Sequence, residues 1–332
     1  MAIASSKPVL QFFFVLFVTT LSRSHAQEAR YHRLNFTGAV GPESVVFDNA
    51  GGGPYTGVSD GRILKWDGSA NRWEEFAVPS PNRRREICDN SDDPELEAEC
   101  GRPLGLQFNR ATGDLYIADA YHGLLVVGPK GGVATPEVVN VEGNPLGFVD
   151  GVDINQETGM VYFTDASTVF QRKDNSMVVS TGDRTGRLIS YNPITKEVKV
   201  LLRGLPFPNG VAMNKNNSFL LISQTSTVSI MRYWLEGPRL GSYEFFACVP
   251  GYPDNIRRNT AGDFWVAVAK GTMVTPGDGT VVGIKFDEQS RPLEVIGDKQ
   301  AGGIVSVSEV HEINGTMWIG SVDVPFLGSY TQ

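Results

Sequence analysis

The sequence predicts an all-β protein folded as a six-bladed β-propeller with four-stranded blades. Three observations favour this fold: a turn-and-strand unit that repeats, a composition suited to short strands, and the lack of a long amphipathic helical period. Gly accounts for 37 of the 332 residues, and aromatic residues make up 10%. Many short strands joined by Gly-rich turns are typical of sandwiches, barrels and propellers, and a single all-β domain often has this length.

The repeated unit is a turn followed by a short apolar or aromatic strand. It occurs six times, at intervals of 45 to 60 residues. The copies occupy residues 52–60, 112–120, 158–166, 216–224, 261–269 and 314–322. A short strand precedes each copy, and a third and a fourth strand follow the first five. Four strands per repeat is the content of one propeller blade.

The sixth unit is short of strands, since only residues 326–332 remain for its third strand. Residues 30–37, near the start of the chain, are predicted to supply the missing outer strand. Closing the ring in this way removes free sheet edges, which otherwise invite aggregation.

Residues 1–26 are predicted to be a signal peptide, because Lys7 precedes an apolar run and Ser24-His25-Ala26 resembles a cleavage site. The apolar run, residues 9–21, spans 13 residues, whereas a membrane-crossing helix needs about 20. We therefore expect no stable membrane insertion, a single propeller domain at 27–332, and entry into the secretory pathway. The vacuole is the favoured destination, with the endoplasmic reticulum lumen and the extracellular space as alternatives. Glycosylation sequons begin at Asn35, Asn216 and Asn314.

Two of the three cysteines, Cys88 and Cys100, bracket a polar, acidic loop. In an oxidising compartment this arrangement predicts a disulfide that closes the loop. The alternative, a metal-binding pair, lacks other Cys or His residues nearby. Cys248 lies in an apolar run and is predicted to be a buried free thiol.

The net charge of −8 makes nucleic acids and anionic membranes unfavourable partners. A small-molecule substrate is the expected partner.

Candidate site residues follow from the repeat, since the first strand of every blade lines the axis of a propeller. We count 10 to 12 residues back from the aromatic residue or leucine of each predicted second strand. The positions reached are Glu43, Leu104, Asp150, Asn209, Asp254 with Asn255, and Ser308. Carboxylate and amide oxygens are the ligands that Ca²⁺ requires, so the pattern predicts a site for Ca²⁺ or another divalent cation. The alternative is that Asp and Asn beside Gly are ordinary turn residues. His122, after a second strand, is a further candidate base, with a structural role as its alternative.

Longer motifs resemble the plant strictosidine synthase-like proteins, within the group of six-bladed propellers that includes gluconolactonase-like and paraoxonase-like hydrolases. The resemblance covers essentially the whole mature chain. It rests on Gly41-Pro42, Asp60-Gly61-Arg62, Cys88 and Cys100 followed by Gly101-Arg102, Val161-Tyr-Phe-Thr-Asp, Thr185-Gly-Arg-Leu-Ile, Tyr233-Trp-Leu-Glu-Gly-Pro, Asn255-Ile, Arg258-Asn259, Gly283-Ile-Lys-Phe-Asp and Leu293-Glu-Val-Ile.

The resemblance to strictosidine synthases implies one possible activity. True strictosidine synthases join tryptamine to secologanin by a Pictet–Spengler condensation in alkaloid biosynthesis. One glutamate of their sixth inner strand acts as acid and base, and no cofactor is needed. Alignment without a gap places this position on Ser308, with Glu309 one residue away. A one-residue offset turns a side chain to the opposite face of a strand. Glu309 therefore reaches the channel only if the strand carries a bulge or slips in register.

The resemblance to metal-dependent propeller hydrolases implies a different site. It implies Glu43, Asn209, Asp254 and Asn255 as ligands of a catalytic calcium, and Asp150 as a ligand or base. The leading hypothesis is a metal-assisted hydrolase of small esters or lactones. The alternatives are the condensation, using Glu309, and a non-catalytic binding propeller whose polar ring is structural.

Overall fold

Short segments rich in β-branched and aromatic residues form nearly all of the regular structure. The computed structural model describes residues 30–269, 281–304 and 306–331. An N-terminal strand comes first, β1 (Arg30–Asn35). Blade one has β2 (Tyr55–Gly57), β3 (Ile63–Asp67) and β4 (Arg72–Val78). Two one-turn helices follow, α1 (Arg85–Cys88) and α2 (Glu97–Cys100).

The second and third blades come next in the chain. Blade two has β5 (Pro103–Phe108), β6 (Leu115–Asp119), β7 (Gly123–Val127) and β9 (Thr135–Val138). The short strand β8 (Gly132–Val133) lies between β7 and β9 in the chain, and β10 (Asn140–Val141) and β11 (Asn144–Pro145) follow β9. The third blade has β12 (Val149–Ile154), β13 (Val161–Asp165), helix α3 (Asn175–Ser180), β14 (Gly186–Tyr191) and β15 (Val198–Leu205).

The last three blades follow the same plan. Blade four has β16 (Pro208–Met213), β17 (Phe219–Gln224), β18 (Ser229–Trp234) and β19 (Tyr243–Cys248). Blade five has β20 (Tyr252–Arg258), β21 (Phe264–Ala269), β22 (Val281–Phe286) and β23 (Pro292–Gly297). Blade six has β24 (Val307–Ile313), β25 (Thr316–Ser321) and β26 (Phe326–Thr331).

The described strands form six four-stranded sheets and one two-stranded ribbon, β10–β11. In blade six the order is β24, β25, β26 and then β1, which pairs antiparallel with β26 from Arg30 opposite Thr331 to Asn35 opposite Phe326. This confirms that the N-terminal strand closes the ring. All six predicted copies contain the second strand of a blade. The predicted signal peptide, residues 1–26, lies outside the described residues.

Apolar side chains pack mainly between neighbouring blades. One cluster joins Tyr116 and Leu124 of blade two to Phe163 and Ile189 of blade three, and equivalent clusters fill the other five interfaces. Each blade therefore buries both faces of its sheet, which holds the inner strands close to the axis.

Blade one departs from the prediction because its expected first strand, residues 42–48, contains one isolated bridge, Val46 opposite Tyr55. The backbone of this segment bonds to β2 at Glu43 and Val46, and it also bonds to blade six. The Val45 N–H donates to Glu309, and the Val45 carbonyl bonds Nδ1 of His311. The sheet gains its fourth strand from β8, which runs parallel to β4.

The prediction that Cys248 is buried is wrong. Cys248 is a free, exposed cysteine at the end of β19, the outer strand of blade four. A register shift between β18 and β19 lets Phe246 and Ala247 both turn inward. Cys248 then falls on the solvent side of the strand.

Candidate functional site

The inner strands of blades two to six each carry a register shift near the start of the strand. The predicted donors lie at these irregularities: Asp150 in β12, Asn209 in β16, and Asp254 with Asn255 in β20. A bulge re-aims side chains away from the ordinary alternation of a strand. The bulges therefore allow donors from separate blades to face the axis.

Glycine beside the donors permits the inner strands to approach closely. A Cβ on Gly151 would lie 2.6 Å from the Asn209 carbonyl oxygen, and one on Gly210 would lie 2.6 Å from the Asn255 Cα. Real Cβ atoms do not approach so closely, so these positions need glycine. The Asp-Gly and Asn-Gly pairs thus serve strand packing as well as donor placement.

Direct contacts join the donors across blades. Nδ2 of Asn255 donates to Oε1 of Glu43 at 3.2 Å, and the side chain of Asn209 hydrogen-bonds Asp254. Glu43, Asp150, Asn209 and Asn255 are each at most 6% exposed. We call these four residues, together with the half-buried Asp254, the oxygen ring.

The three carboxyl groups of the oxygen ring destabilise one another's charged forms. Burial raises the pKa of Glu43, Asp150 and Asp254 well above their usual values. Asp254 further raises the pKa of Glu43, Glu43 that of Asp150, and Asp150 that of Asp254. The close approach of Gly151 to the Asn209 carbonyl places Asp150 beside the inner strand of blade four, next to the predicted ligands.

Three oxygens of the ring have no hydrogen-bond partner in the described part of the chain, although they are buried: Asp150 Oδ1, Asn209 Oδ1 and Asp254 Oδ1. Buried polar atoms without partners are rare in native proteins, and a hard cation would satisfy such oxygens. No three His, Cys, Asp or Glu side chains among the described residues are arranged to chelate a metal by themselves. A cation here would also need the amide oxygens, and with them the donor set fits Ca²⁺.

Glu309 turns inward because of the bulge. The β24–β25 register shifts between Val307 and Glu309, which meets the condition stated for Glu309 to reach the channel. Ser308, at the aligned position, is fully buried and donates its hydroxyl to the Glu43 carbonyl at 2.7 Å. It therefore holds blade six against residue 43.

The Glu309 carboxylate is already paired. It accepts hydrogen bonds from the Val45 N–H and from Nε of Arg257, both at 2.6 Å. Burial raises the pKa of Glu309, although the Arg257 guanidinium opposes that effect. The Nη atoms of Arg257 reach across the channel to the Leu106 carbonyl at 3.2 Å. Arg257 and Glu309 thus close the channel next to the oxygen ring, a pairing that sequence reasoning missed.

His122 lies in the turn between β6 and β7, where its backbone N–H donates to Asp119 at 2.9 Å. Its Nε2 is buried and has no hydrogen-bond partner within the residues described. No hydrogen bond or ion pair in the same part of the chain joins it to the oxygen ring. The structure therefore does not connect this candidate base with the predicted ligands.

Two rim segments meet over the channel mouth, residues 79–99 and 170–184. Oε1 of Glu97 pairs with Arg172 at 2.7 Å, and Oε2 accepts the Tyr121 hydroxyl at 2.8 Å. We call Glu97, Tyr121 and Arg172 the mouth cluster. It links the first rim segment to the second and to blade two, and its signal in the sequence was only that both segments are long and polar.

The predicted disulfide is present, since Cys88 and Cys100 are bonded across a separation of 12 residues. A double variant, Cys88→Ser with Cys100→Ser, is expected to lower the free energy of unfolding by about 3 kcal/mol, because the cross-link limits the unfolded chain. Urea unfolding measures this effect. Cys248→Ser, which is exposed, should change it by less than about 0.5 kcal/mol. Equal midpoints for the double variant and the wild type would contradict the prediction.

The three sequon asparagines, Asn35, Asn216 and Asn314, are exposed. None of the described helices is long and apolar enough to span a bilayer.

Comparison with known proteins identifies the family. A model described as "Strictosidine synthase" matches residues 150–238, and one described as "Strictosidine synthase-like, N-terminal" matches residues 29–66. Protein STRICTOSIDINE SYNTHASE-LIKE 10 of Arabidopsis thaliana is 48% identical over 326 residues, covering 90% of this chain and 87% of that protein. The chain belongs to the strictosidine synthase-like family. A second Arabidopsis member, Protein STRICTOSIDINE SYNTHASE-LIKE 2, is 44% identical over 331 residues. The alignment covers 89% of this chain and 87% of that protein.

Solved structures share the propeller fold of this strictosidine synthase-like chain. A gluconolactonase of Xanthomonas campestris superposes with a TM-score of 0.66 at 16% identity, over 92% of this chain and 90% of that chain. A luciferin-regenerating enzyme gives a TM-score of 0.59 at 12% identity, over 92% and 95%. At these identities the likeness shows the fold alone. The predicted family and fold are confirmed, and the family and its structural neighbours include enzymes.

Proposed function

We propose that this strictosidine synthase-like protein is a hydrolase of small esters or lactones that uses a divalent cation. Ca²⁺ is the cation that we favour. The observation that carries the proposal is the set of three buried oxygens without partners, on Asp150, Asn209 and Asp254. Leaving one such group unsatisfied costs roughly 1–3 kcal/mol. A cation bound by Asn209 and Asp254, with a water molecule held on Asp150, would satisfy all three.

Glu43, Asn209, Asp254 and Asn255 are the proposed ligands. When bound there, the cation would polarise the substrate carbonyl and stabilise the negative charge that develops on its oxygen. The Asn255 amide fixes the Glu43 carboxylate through their 3.2 Å hydrogen bond. Such a hydrogen bond orients the Glu43 carboxylate towards the cation site.

Asp150 is the proposed general base. Its free Oδ1 can accept a proton from a water molecule as the water oxygen attacks the carbonyl carbon. The bond between that carbon and the alcohol oxygen then breaks, and the proton passes to the leaving alcohol. Water is thus consumed, and a carboxylic acid and an alcohol are formed.

The test combines metal analysis with turnover. Purified protein is expected to contain a divalent ion, to lose hydrolysis of phenyl acetate and γ-butyrolactone after EGTA treatment, and to regain it with Ca²⁺. Glu43→Gln should lower hydrolysis on the order of 100-fold. Glu74→Gln, an exposed glutamate of β4, is the matched control. Protein that holds no metal and is indifferent to EGTA and Ca²⁺ would refute the proposal.

A second candidate is the Pictet–Spengler condensation, and one observation favours it: the bulge turns Glu309 into the channel. The pairing of Glu309 with Arg257 argues against a free acid or base at this position. Incubation with tryptamine and secologanin, followed by mass spectrometry, decides the matter. Strictosidine formed by the wild type and lost in Glu309→Gln would replace the hydrolase proposal.

We further propose that the protein resides in the secretory pathway, with the vacuole as its destination. The disulfide and the three exposed sequons support this location. Sensitivity of the plant-expressed protein to peptide N-glycosidase, together with co-migration with vacuoles, is the expected result. Recovery of an unglycosylated, reduced protein from the cytosol would contradict it.

A further inference from the structure

The axial channel has a second mouth, on the face opposite the two rim segments. A cavity of about 920 Å³ opens there, and we call it the lower cavity. All six blades line it with the ends of their first segments, at residues 46–48, 107–108, 153–154, 211–213, 256–258 and 311–313. The oxygen ring lies at the starts of the same segments. Arg257 divides the two sites, because its guanidinium spans the channel from Glu309 to the Leu106 carbonyl.

His311 offers a hydrogen-bond acceptor to the lower cavity. Its side chain is 17% exposed, and Nδ1 lies 2.7 Å from the Val45 carbonyl oxygen. A carbonyl can only accept, so Nδ1 carries the ring proton. Burial and the Arg257 guanidinium lower the pKa of His311 to about 3, which keeps the imidazole neutral at physiological pH. Nε2 therefore has a lone pair, and no group among the described residues donates to it.

Arg258 offers hydrogen-bond donors and a positive charge to the same cavity. Its side chain is half-buried, and Nε is fixed by a hydrogen bond to the Met213 carbonyl at 2.8 Å. Within the described residues, no carboxylate forms an ion pair with Arg258, and no acceptor bonds its Nη atoms. Two exposed cations at the edge of the cavity, Arg110 and Lys215, add to the positive charge.

The carboxylates that line the lower cavity already have donors or lie at its edge. Asp153 accepts three hydrogen bonds of 2.7 to 2.8 Å, from one side-chain amide and two backbone N–H groups. Glu312 accepts one side-chain amide at 2.9 Å and one indole N–H at 2.7 Å. Asp48 accepts two backbone N–H groups and a tyrosine hydroxyl, and Glu157 is exposed. The groups left free inside the cavity are a guanidinium, which only donates, and an imidazole nitrogen, which only accepts.

We propose that the lower cavity binds a small sugar acid, a molecule with several hydroxyl groups and one carboxylate. The carboxylate accepts charge-assisted hydrogen bonds from the Nη atoms of Arg258, and a hydroxyl donates to Nε2 of His311. A simple carboxylate has no donor for His311, and a neutral polyol has no charge for Arg258. The inference does not rest on the proposed hydrolysis, because Arg257 separates this cavity from the oxygen ring.

Three probes of similar size separate the two contacts. Glucuronate has hydroxyls and a carboxylate, glucose lacks the carboxylate, and cyclohexanecarboxylate lacks the hydroxyls. NMR titrations in EGTA, so that no divalent cation contributes, should show that glucuronate binds at least about tenfold more tightly than either of the others. In protein labelled with ¹⁵N at histidine, glucuronate should also move the Nε2 resonance of His311 to lower frequency, because that nitrogen then accepts a hydrogen bond. The resonance is assigned by its absence in His311→Phe.

Two variants assign the contacts to their residues. Arg258→Gln should weaken glucuronate binding by about tenfold and leave glucose binding unchanged, because only the charged contact is lost. His311→Phe should weaken the binding of both glucuronate and glucose, and leave that of cyclohexanecarboxylate unchanged. Arg72→Gln, an exposed arginine of β4, is the matched control and should bind all three probes like the wild type.

The wild type alone can overturn the proposal. Equal affinities for the three probes, or glucuronate binding that leaves the His311 resonance in place, would refute it, even if a variant fails to fold by circular dichroism. An Arg258→Gln protein that is folded and still prefers glucuronate to glucose by the wild-type ratio would also refute it. Because the titrations contain EGTA and no ester, their failure leaves the hydrolase proposal intact, and a failure of hydrolysis leaves this site intact.

Discussion

Replacing Arg257 with Met is expected to lower the free energy of unfolding by about 3–5 kcal/mol. The reason is that Glu309, which is fully buried, would keep its carboxylate but lose the guanidinium 2.6 Å away. The Leu106 carbonyl would lose its partner across the channel as well. Urea unfolding, followed by tryptophan fluorescence, measures the change.

Two further variants separate the buried charge from ordinary packing. Arg258→Met is the matched control, because its Nε makes one hydrogen bond, to the Met213 carbonyl at 2.8 Å. That loss should cost about 1 kcal/mol. Arg257→Met combined with Glu309→Gln should recover most of the stability, since no buried charge remains unpaired. A cost below about 1 kcal/mol for Arg257→Met would show that Glu309 is protonated in the folded protein, contrary to the ion pair argued above.

Local sequence patterns predicted the fold because each blade is made of neighbouring segments. A turn and the strand after it lie within ten residues, so the period survives in the sequence. Blade one is the exception. Its first segment bonds to Glu309 and His311, more than 260 positions away in the chain, and no local pattern reports such contacts.

The grouping of the predicted donors could be anticipated from the sequence, because a propeller brings residues at equal repeat offsets close together. Asn255 and Glu43 are 212 positions apart and yet hydrogen-bonded. The direction of each side chain could not be predicted in the same way. Whether Glu309 or Ser308 faces the channel depends on one bulge in β24, and a bulge has no fixed signature in residue types.

The arginines were missed for a related reason. Arg257 pairs with Glu309 at a separation of 52 residues, and Arg172 pairs with Glu97 at 75. Neither pair shares a repeat offset, so the alignment of blades does not reveal them. Arg102 stood in the Cys100-Gly-Arg motif used to identify the family. Its burial depends on packing between distant segments of the chain, which the sequence does not show.

Replacing Asp254 with Asn is expected to stabilise the metal-free protein at pH 7.5 and to abolish its stabilisation by Ca²⁺. Burial and the neighbouring Asp150 raise the pKa of Asp254 in the folded state well above its usual value. The ionised form is therefore disfavoured in the folded protein, and each unit by which the pKa is raised corresponds to about 1.4 kcal/mol. A neutral amide avoids that cost, so we expect a gain of at least about 1 kcal/mol in EGTA.

The sign of the pH dependence follows from linkage. A group whose pKa is raised by folding stabilises the folded state fully below its unfolded pKa, about 3.9 for Asp. That contribution is lost as the pH rises through the folded pKa. The advantage of Asp254→Asn should consequently be small near pH 4 and grow towards neutral pH. His311, whose pKa burial lowers to about 3, destabilises both proteins as the pH falls below 6.5, and its effect cancels in the difference.

Calcium should reverse the comparison at neutral pH. At a concentration 100 times its dissociation constant, a ligand that binds only the folded state stabilises it by about 2.7 kcal/mol. This gain should appear in the wild type, shrink on acidification as the ring carboxylates take up protons, and be absent in Asp254→Asn. Melting curves at pH 5 and 7.5, with EGTA or Ca²⁺, measure all of these effects, and Asp92→Asn, an exposed rim residue, is the control. If Asp254→Asn is no more stable than the wild type in EGTA, the neighbours of Asp254 do not destabilise its ionised form. If Ca²⁺ stabilises Asp254→Asn as much as the wild type, Asp254 is not a ligand.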